Sequence, residues 1–197
     1  EALRQAGDAG ETHLLDLRQG DAQDPPLSRE EWGAFDAAHA RFILEHVPDP
    51  LAVVSAMVRA VRPGGRIVLT DDDHDILRLS PEPPGFAALW RAYMRTYDRI
   101  GADAFIGRRL VALLHEAGAK PRRNATLFFG SCSGHPHFAA YVENIVRILI
   151  GARDAILAVG EVDRAGLDAA LAALRAWGQR PDAAIWYSMA WAEGTRP

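Results

Sequence analysis

Two hydrophobic periods alternate along the chain, and each change of period marks a new element. After a helix end in EALRQAGDAG, the stretch HLLDLR reads as a short strand over 14–18 running into the turn RQGDA. The polar segment SREEWG separates it from FDAAHARFIL, a second apolar strand. Asp49 and Pro50 then supply an N-cap and a first-turn proline, and Leu51, Val54, Val58 and Val61 follow at helical spacing. Pro63, Gly64 and Gly65 stop that helix before RIVLTD, a buried strand rich in branched residues. Phe86, Leu89, Trp90, Tyr93, Tyr97 and Ile100 fall on one face of the next helix. A further helix is predicted over 103–117, with Ile106, Leu110, Leu113, Leu114 and Ala117 as its stripe and Gly118 as its C-cap. ATLFFG reads as a strand, 137–158 and 163–178 as helices, and AAIWYSMAW as the closing strand.

Strands alternating with helices predict one domain over 1–197, an α/β fold with a mostly parallel sheet covered on both faces. In such sheets ligands bind beyond the carboxyl ends of the strands, so the turns after RQGDA, HAR and LTD are the places to look for chemistry. Composition narrows the partners. A formal net charge of −4 gives no reason to expect nucleic acid. The most apolar tract, 145–160, is interrupted by Arg147, Arg153 and Asp154, too soon for a membrane span. The lone Cys132 excludes an intramolecular disulfide and suits a reducing, cytoplasmic setting.

Four segments together resemble the class I S-adenosylmethionine-dependent methyltransferases. RQGDAQDPPL is similar to the end of that family's third strand, and FDAAHARFILEHVPDP to its fourth-strand segment. VRPGGRIVLTD is similar to the junction of helix and fifth strand, and GADAFIGRRLVALLHEAGAKP to the helix before the sixth. The resemblance implies a Rossmann-like, doubly wound sheet with an antiparallel last strand. Parallel strands are expected over 14–18, 37–40 and 66–70, and the reversed one over 184–192. It implies S-adenosylmethionine as cofactor, with Asp21 toward the adenine amino group, Ala22 against the ring and Arg41 near the methionine end. A segment over 72–102 is the candidate substrate lid, where His74, Tyr93 and Tyr97 are candidate substrate residues, and 131–182 is a helical insertion.

The resemblance departs from the pattern at the start. The family opens with a strand, a glycine turn that lets backbone approach the cofactor, and a second strand ending in a ribose-binding acid. No such glycine loop stands in this sequence, and the fold is expected to be N-terminally incomplete. Residues 1–197 alone are expected to bind the cofactor weakly or not at all, with a partner chain, a second copy as a homodimer, or a rearranged N-terminal segment covering the sheet. The expected activity is methyl transfer to a small-molecule acceptor; the rival is a non-catalytic, methyltransferase-derived module acting in dimerisation or protein binding.

Two other constellations are weaker. GSCSG, between a strand and a helix, has the shape of a nucleophile elbow around Cys132, but no histidine follows His137. Cys132 is instead expected as a small buried residue. The run Asp71, Asp72, Asp73, His74, Asp75 has no diagnostic ligand spacing, even with His135 and His137, so a solvated acidic loop and no metal are expected. Glu45 and His46 are read as structural. His74, His135 and His137 are the candidate bases for a hydroxyl acceptor.

Overall fold

The protein is described by a computed structural model covering residues 2–197. A short helix, α1 (Ala2–Ala9), leads through a 3-10 turn, Thr12–Leu14, into an irregular segment. The first strand is β1 (Phe35–Arg41), followed by α2 (Pro50–Ala60) and β2 (Val61–Asp72). Then come β3 (Arg78–Ser80), α3 (Phe86–Arg95), α4 (Leu110–Glu116) and β4 (Lys120–Cys132). Three helices, α5 (Phe138–Gly151), α6 (Arg153–Val159) and α7 (Arg164–Trp177), precede the final strand β5 (Ala184–Thr195).

The sheet is mixed, and its directions follow the expectation. β1 and β2 pair in parallel, while β5 runs antiparallel to β2, β3 and β4, so only the last strand is reversed. β2 and β3 share one edge of β5: Thr195 to Met189 pair with β2, and Trp186 to Ala184 with β3. β4 lines the other edge from Lys120 to Cys132, far beyond the ATLFFG stretch.

One expected strand is missing. Residues 15–18 have no regular structure, and Leu14, Leu15 and Leu17 are exposed. A strand is held by the ladder of a neighbour, and among the described residues β1 pairs only with β2, so nothing lies beside HLLDLR to form one. The long helix expected over 137–158 is also broken, at Gly151 and Ala152. Glycine weakens a helix, and the break turns α6 so that Ile156 packs into the core.

Alternation along the strands sorts side chains to two faces. Ala40, Ile67, Leu69 and Ala192 meet α2 and α4, where Val54, Val58, Leu110, Leu113 and Leu114 are buried. Each such leucine contributes about 1.5–3 kcal/mol by leaving water. Ile185 belongs to the opposite face, where Leu77, Leu79 and helices α3, α5, α6 and α7 form a second core. Helices therefore lie on both sides of the sheet, and the second set overhangs the exits of β1 and β2.

Candidate active site

The exits of β1 and β2 are fixed to each other by a buried carboxylate. Asp71 accepts hydrogen bonds from the backbone N–H groups of Leu44 (2.9 Å) and Ile43 (3.2 Å). These bonds hold the turn after β1, in which Phe42 takes a left-handed φ of 54°. For a bulky residue that conformation costs about 1–2 kcal/mol, so the surrounding bonds must impose it. Burial, followed by the nearby charge of Glu45, raises the Asp71 carboxyl to about 6, against the pull of the backbone donors. Behind the exit of β2, Gly107 sits so close that a Cβ there would meet the Asp72 carbonyl oxygen at 2.8 Å. Only glycine fits that approach.

Between the β5-side face and α3 and α5 lies a cavity of about 630 Å³. Its walls include Leu77, Trp90, Phe129, Tyr141, Ile145 and Tyr187, together with Arg41, Asp72, Asn144 and His74. An apolar chamber with few polar groups is the common form of a small-molecule site.

One wall of this chamber is a buried polar network. His74 Nε2 lies 2.7 Å from Glu45 Oε2 and 3.0 Å from the Tyr97 hydroxyl. The Tyr97 hydroxyl donates to Glu45 (3.0 Å), and the Tyr93 hydroxyl lies 2.9 Å from that of Tyr97. Trp90 Nε1 donates to the His74 carbonyl at 2.8 Å. Burial alone would raise the Glu45 carboxyl, but the bond and charge of His74, with His46 and Tyr97, outweigh it and hold it below the usual range. Burial raises the Asp72 carboxyl, against the hydrogen bond from Tyr187 and the charge of His74. The Tyr97 and Tyr187 hydroxyls are pushed up, chiefly by burial and then by neighbouring Tyr93 and Asp72 respectively. His74 Nδ1 and Asp72 Oδ1 are buried and have no partner.

The three candidate substrate residues, His74, Tyr93 and Tyr97, are thus joined in one hydrogen-bonded chain. Glu45, read from sequence as structural packing, is its hub, and Asp72 and Tyr187 complete the wall. The acidic run is no solvated loop: Asp71, Asp72, Asp73 and His74 are all at most 9 % exposed. Burial by α3 and the Arg108 side chain, which pairs with Asp73 at 2.6 Å, replaces water there. Donor atoms of Glu45, Asp72 and His74 lie within 4.8 Å of one another, close enough to hold a metal ion, and Glu45 is also hydrogen-bonded there to His74 and Tyr97. His135 and His137 are exposed and face each other, ring centroids 5.4 Å apart, away from this network. Cys132 is exposed at the end of β4, not buried, because that edge strand has no cover there.

The candidate cofactor residues are placed apart. Arg41 lines the large cavity with Phe42. Ala22 lines a second cavity of about 260 Å³ with Ala38, Ala40, Ile43 and Ala56, on the α2 side of β1. Asp21 is exposed in a turn and accepts from the Gln23 N–H at 2.9 Å. Small side chains around Ala22 suit a flat ring, and Arg41 suits a carboxylate. The two cavities meet different sides of the β1 exit, since Phe42 lines one and Ile43 the other. Asp21 lines neither cavity.

The fold is one that methyltransferases also use, and the comparisons locate the likeness. Residues 1–69 match the model of the methyltransferase domain family. An uncharacterised 37.1 kDa protein in a transposon of Streptomyces fradiae is 35% identical over 106 residues, 53% of this chain and 29% of that protein. A ubiquinone biosynthesis O-methyltransferase of Xanthomonas oryzae is 41% identical over 56 residues, 28% of this chain and 23% of the enzyme. The chain therefore spans less than a third of these curated relatives. Among solved structures, the [4+2]-cyclase SpnF matches with a TM-score of 0.54 at 20% identity, over 100% of this chain and 62% of that one. A structure from Bacillus halodurans C-125, assigned as a methyltransferase, matches with a TM-score of 0.52 at 15% identity, over 94% of this chain and 79% of the other. The resemblance to class I methyltransferases holds over residues 1–69 in sequence and over the sheet in topology.

Proposed function

We propose that the chain carries the acceptor side of an S-adenosylmethionine-dependent methyltransferase, moving the sulfonium methyl group to a small molecule held in the large cavity. The observation that carries this reading is the position of that cavity, at the exits of β1 and β2 under α3 and α5, with Arg41 and Asp72 on its wall. When bound, the cofactor supplies an activated methyl group; the protein's part is to orient the acceptor and keep water out. Trp90, Phe129, Tyr141 and Tyr187 hold the acceptor's apolar body, and Arg41 the charged end of the donor. Asp21 and Ala22 are proposed for the adenine. Since a neighbour in fold is named as a [4+2]-cyclase, the fold by itself does not choose the reaction, and the site has to.

Calorimetry with S-adenosylmethionine and S-adenosylhomocysteine tests this, with any binding by this chain expected to be weak and to be lost in Arg41→Ala. A nucleotide that binds away from both cavities overturns the assignment. The free edge of β1 supports a second reading, in which that edge pairs with another copy or another protein. Light scattering separates them: a monomer that binds the cofactor supports the first. The exposed thiol of Cys132 fits a reducing cytoplasm.

A further inference from the structure

We infer that the outer edge of β4 is the self-association surface of this protein, where a second copy of the chain pairs antiparallel with residues 124–132 and continues the sheet across a two-fold axis at Phe128. The inference does not depend on the proposed reaction. β4 and β1 bound the sheet on opposite sides, so this surface is also separate from the free edge of β1.

β5 takes one edge of β4 from Lys120 to Cys132, and among the described residues no strand takes the other. An open edge is a template for another strand, and proteins blunt it with charge, proline or a bulge. The first part of β4 has all three: Lys120, Arg122 and Arg123, then Pro121, and a register shift between Pro121 and Arg123. From Asn124 to Cys132 there is none of them. That half instead shows apolar side chains to water. Phe128 is 76 % exposed and Leu127 46 %. Gly130 pairs with Trp186, which is 51 % exposed and shares the Phe128 face. The protection stops where the apolar surface begins.

Charge and symmetry select a second copy as the occupant. A two-fold interface uses the same patch on both chains. Antiparallel pairing about Phe128 sets the unprotected half against itself and carries Arg122 and Arg123 of each copy to the uncharged Ser133-Gly134 turn of the other. Parallel pairing in register would set each cation opposite its equal, which is unfavourable. On one face the two Phe128 rings meet at the axis, with a Trp186 on either side of them. On the other face Leu127 of the second copy falls opposite Phe129, which lines the large cavity, so the second copy extends that wall. One shared ladder is a small interface, and the dimer is expected to dissociate on dilution.

Light scattering of the unaltered protein over a dilution series is expected to show this dimer and its dissociation. Phe128→Lys puts like charges at the axis and is expected to leave a monomer with unchanged circular dichroism, because the side chain it replaces is mostly in water. Amides over 124–132 are expected to exchange hydrogen roughly tenfold more slowly in concentrated than in dilute protein. The lone thiol, Cys132, serves as a ruler. With a nitroxide on it, dipolar spectroscopy is expected to read a separation consistent with Cα atoms about 27 Å apart, the offset this register gives at ~3.4 Å per residue. A dimer through β1 would hold the labels apart by the width of both sheets. A monomer at every concentration, a dimer that survives Phe128→Lys, or labels separated by the width of both sheets overturns the proposal.

Discussion

Around His74 the buried polar groups are tied to one another, whereas along the outer edge of β1 the chain is held by groups in water. On the first side Glu45, Tyr97 and Tyr93 form one chain of hydrogen bonds beneath α3, and Asp71 locks the turn between β1 and α2. On the second side residues 15–28 have no regular structure, and Arg18 bridges Glu31 (2.6 Å) and the Pro26 carbonyl (3.1 Å) at the surface. The contrast separates the two ends of the proposed reaction. Acceptor chemistry is built from residues that fold together in this chain. The residues proposed for the cofactor's adenine lie beside a free strand edge, in a segment whose geometry depends on exposed pairs.

The largest test breaks the buried side. Glu45→Ala removes the carboxylate that both the His74 Nε2–H and the Tyr97 hydroxyl use, leaving them only each other and Tyr93, and a charge-assisted bond lost in a buried site is of order 1–3 kcal/mol. Urea unfolding is expected to show a loss of about 3 kcal/mol; an unchanged midpoint would mean that the network contributes nothing to the fold. Asp71 gives the next effect, read against pH. Its carboxyl lies at about 6 in the folded protein, raised from the ordinary 3.8, so the folded state holds a proton that the unfolded state has released. Stability from this group is therefore full below about pH 4, falls between about pH 4 and 6, and is flat above. The fall amounts to at most about 3 kcal/mol. Asp71→Asn keeps an oxygen for the Leu44 N–H and removes the titration, so the difference between the two proteins is expected to change only across that window.

The same contrast governs what the sequence could tell. β1, β2 and β5 were legible because their apolar runs are bounded by strong signals, Asp49-Pro50 and Pro63-Gly64-Gly65 above all. The strand expected over 14–18 had the right pattern but no neighbour, and a pattern alone does not supply a ladder. His74, Tyr93 and Tyr97 were legible as candidates, two from their helical spacing and one from its position after β2. Glu45 was not, because a Leu-Glu-His at a strand exit gives no hint that its carboxylate turns inward. Only the overhang of α3 brings Tyr97 to it, across a sequence separation of 52. Asp71 to Asp73 looked like a water-facing loop for a similar reason: their donors, Leu44 and Arg108, come from distant segments.

On the open side the effects should be smaller. If Asp21 meets the adenine amino group, Asp21→Ala removes about one hydrogen bond and weakens S-adenosylhomocysteine by about tenfold at most. Calorimetry that finds the affinity unchanged removes Asp21 from the site.

The smallest effect is expected at Arg18. Its guanidinium holds the Glu31 carboxyl down to about 2, by hydrogen bond first and with help from the Ser28 backbone, yet both groups sit in water. An ion pair of that kind loses most of its attraction to solvent screening and to the ordering of two long side chains. Arg18→Ala is therefore expected to leave the urea midpoint where it is. What it should change is local: backbone amides over 15–28 should exchange hydrogen faster, because Arg18 is what ties the Pro26 carbonyl and Glu31 together. Cofactor affinity should fall with that exchange, since the proposed adenine residues Asp21 and Ala22 lie inside the loosened segment, while the exchange protection of the buried network around His74 should not move. A loss of both together would show that the two regions are one cooperative unit, and that the contrast drawn between them is wrong.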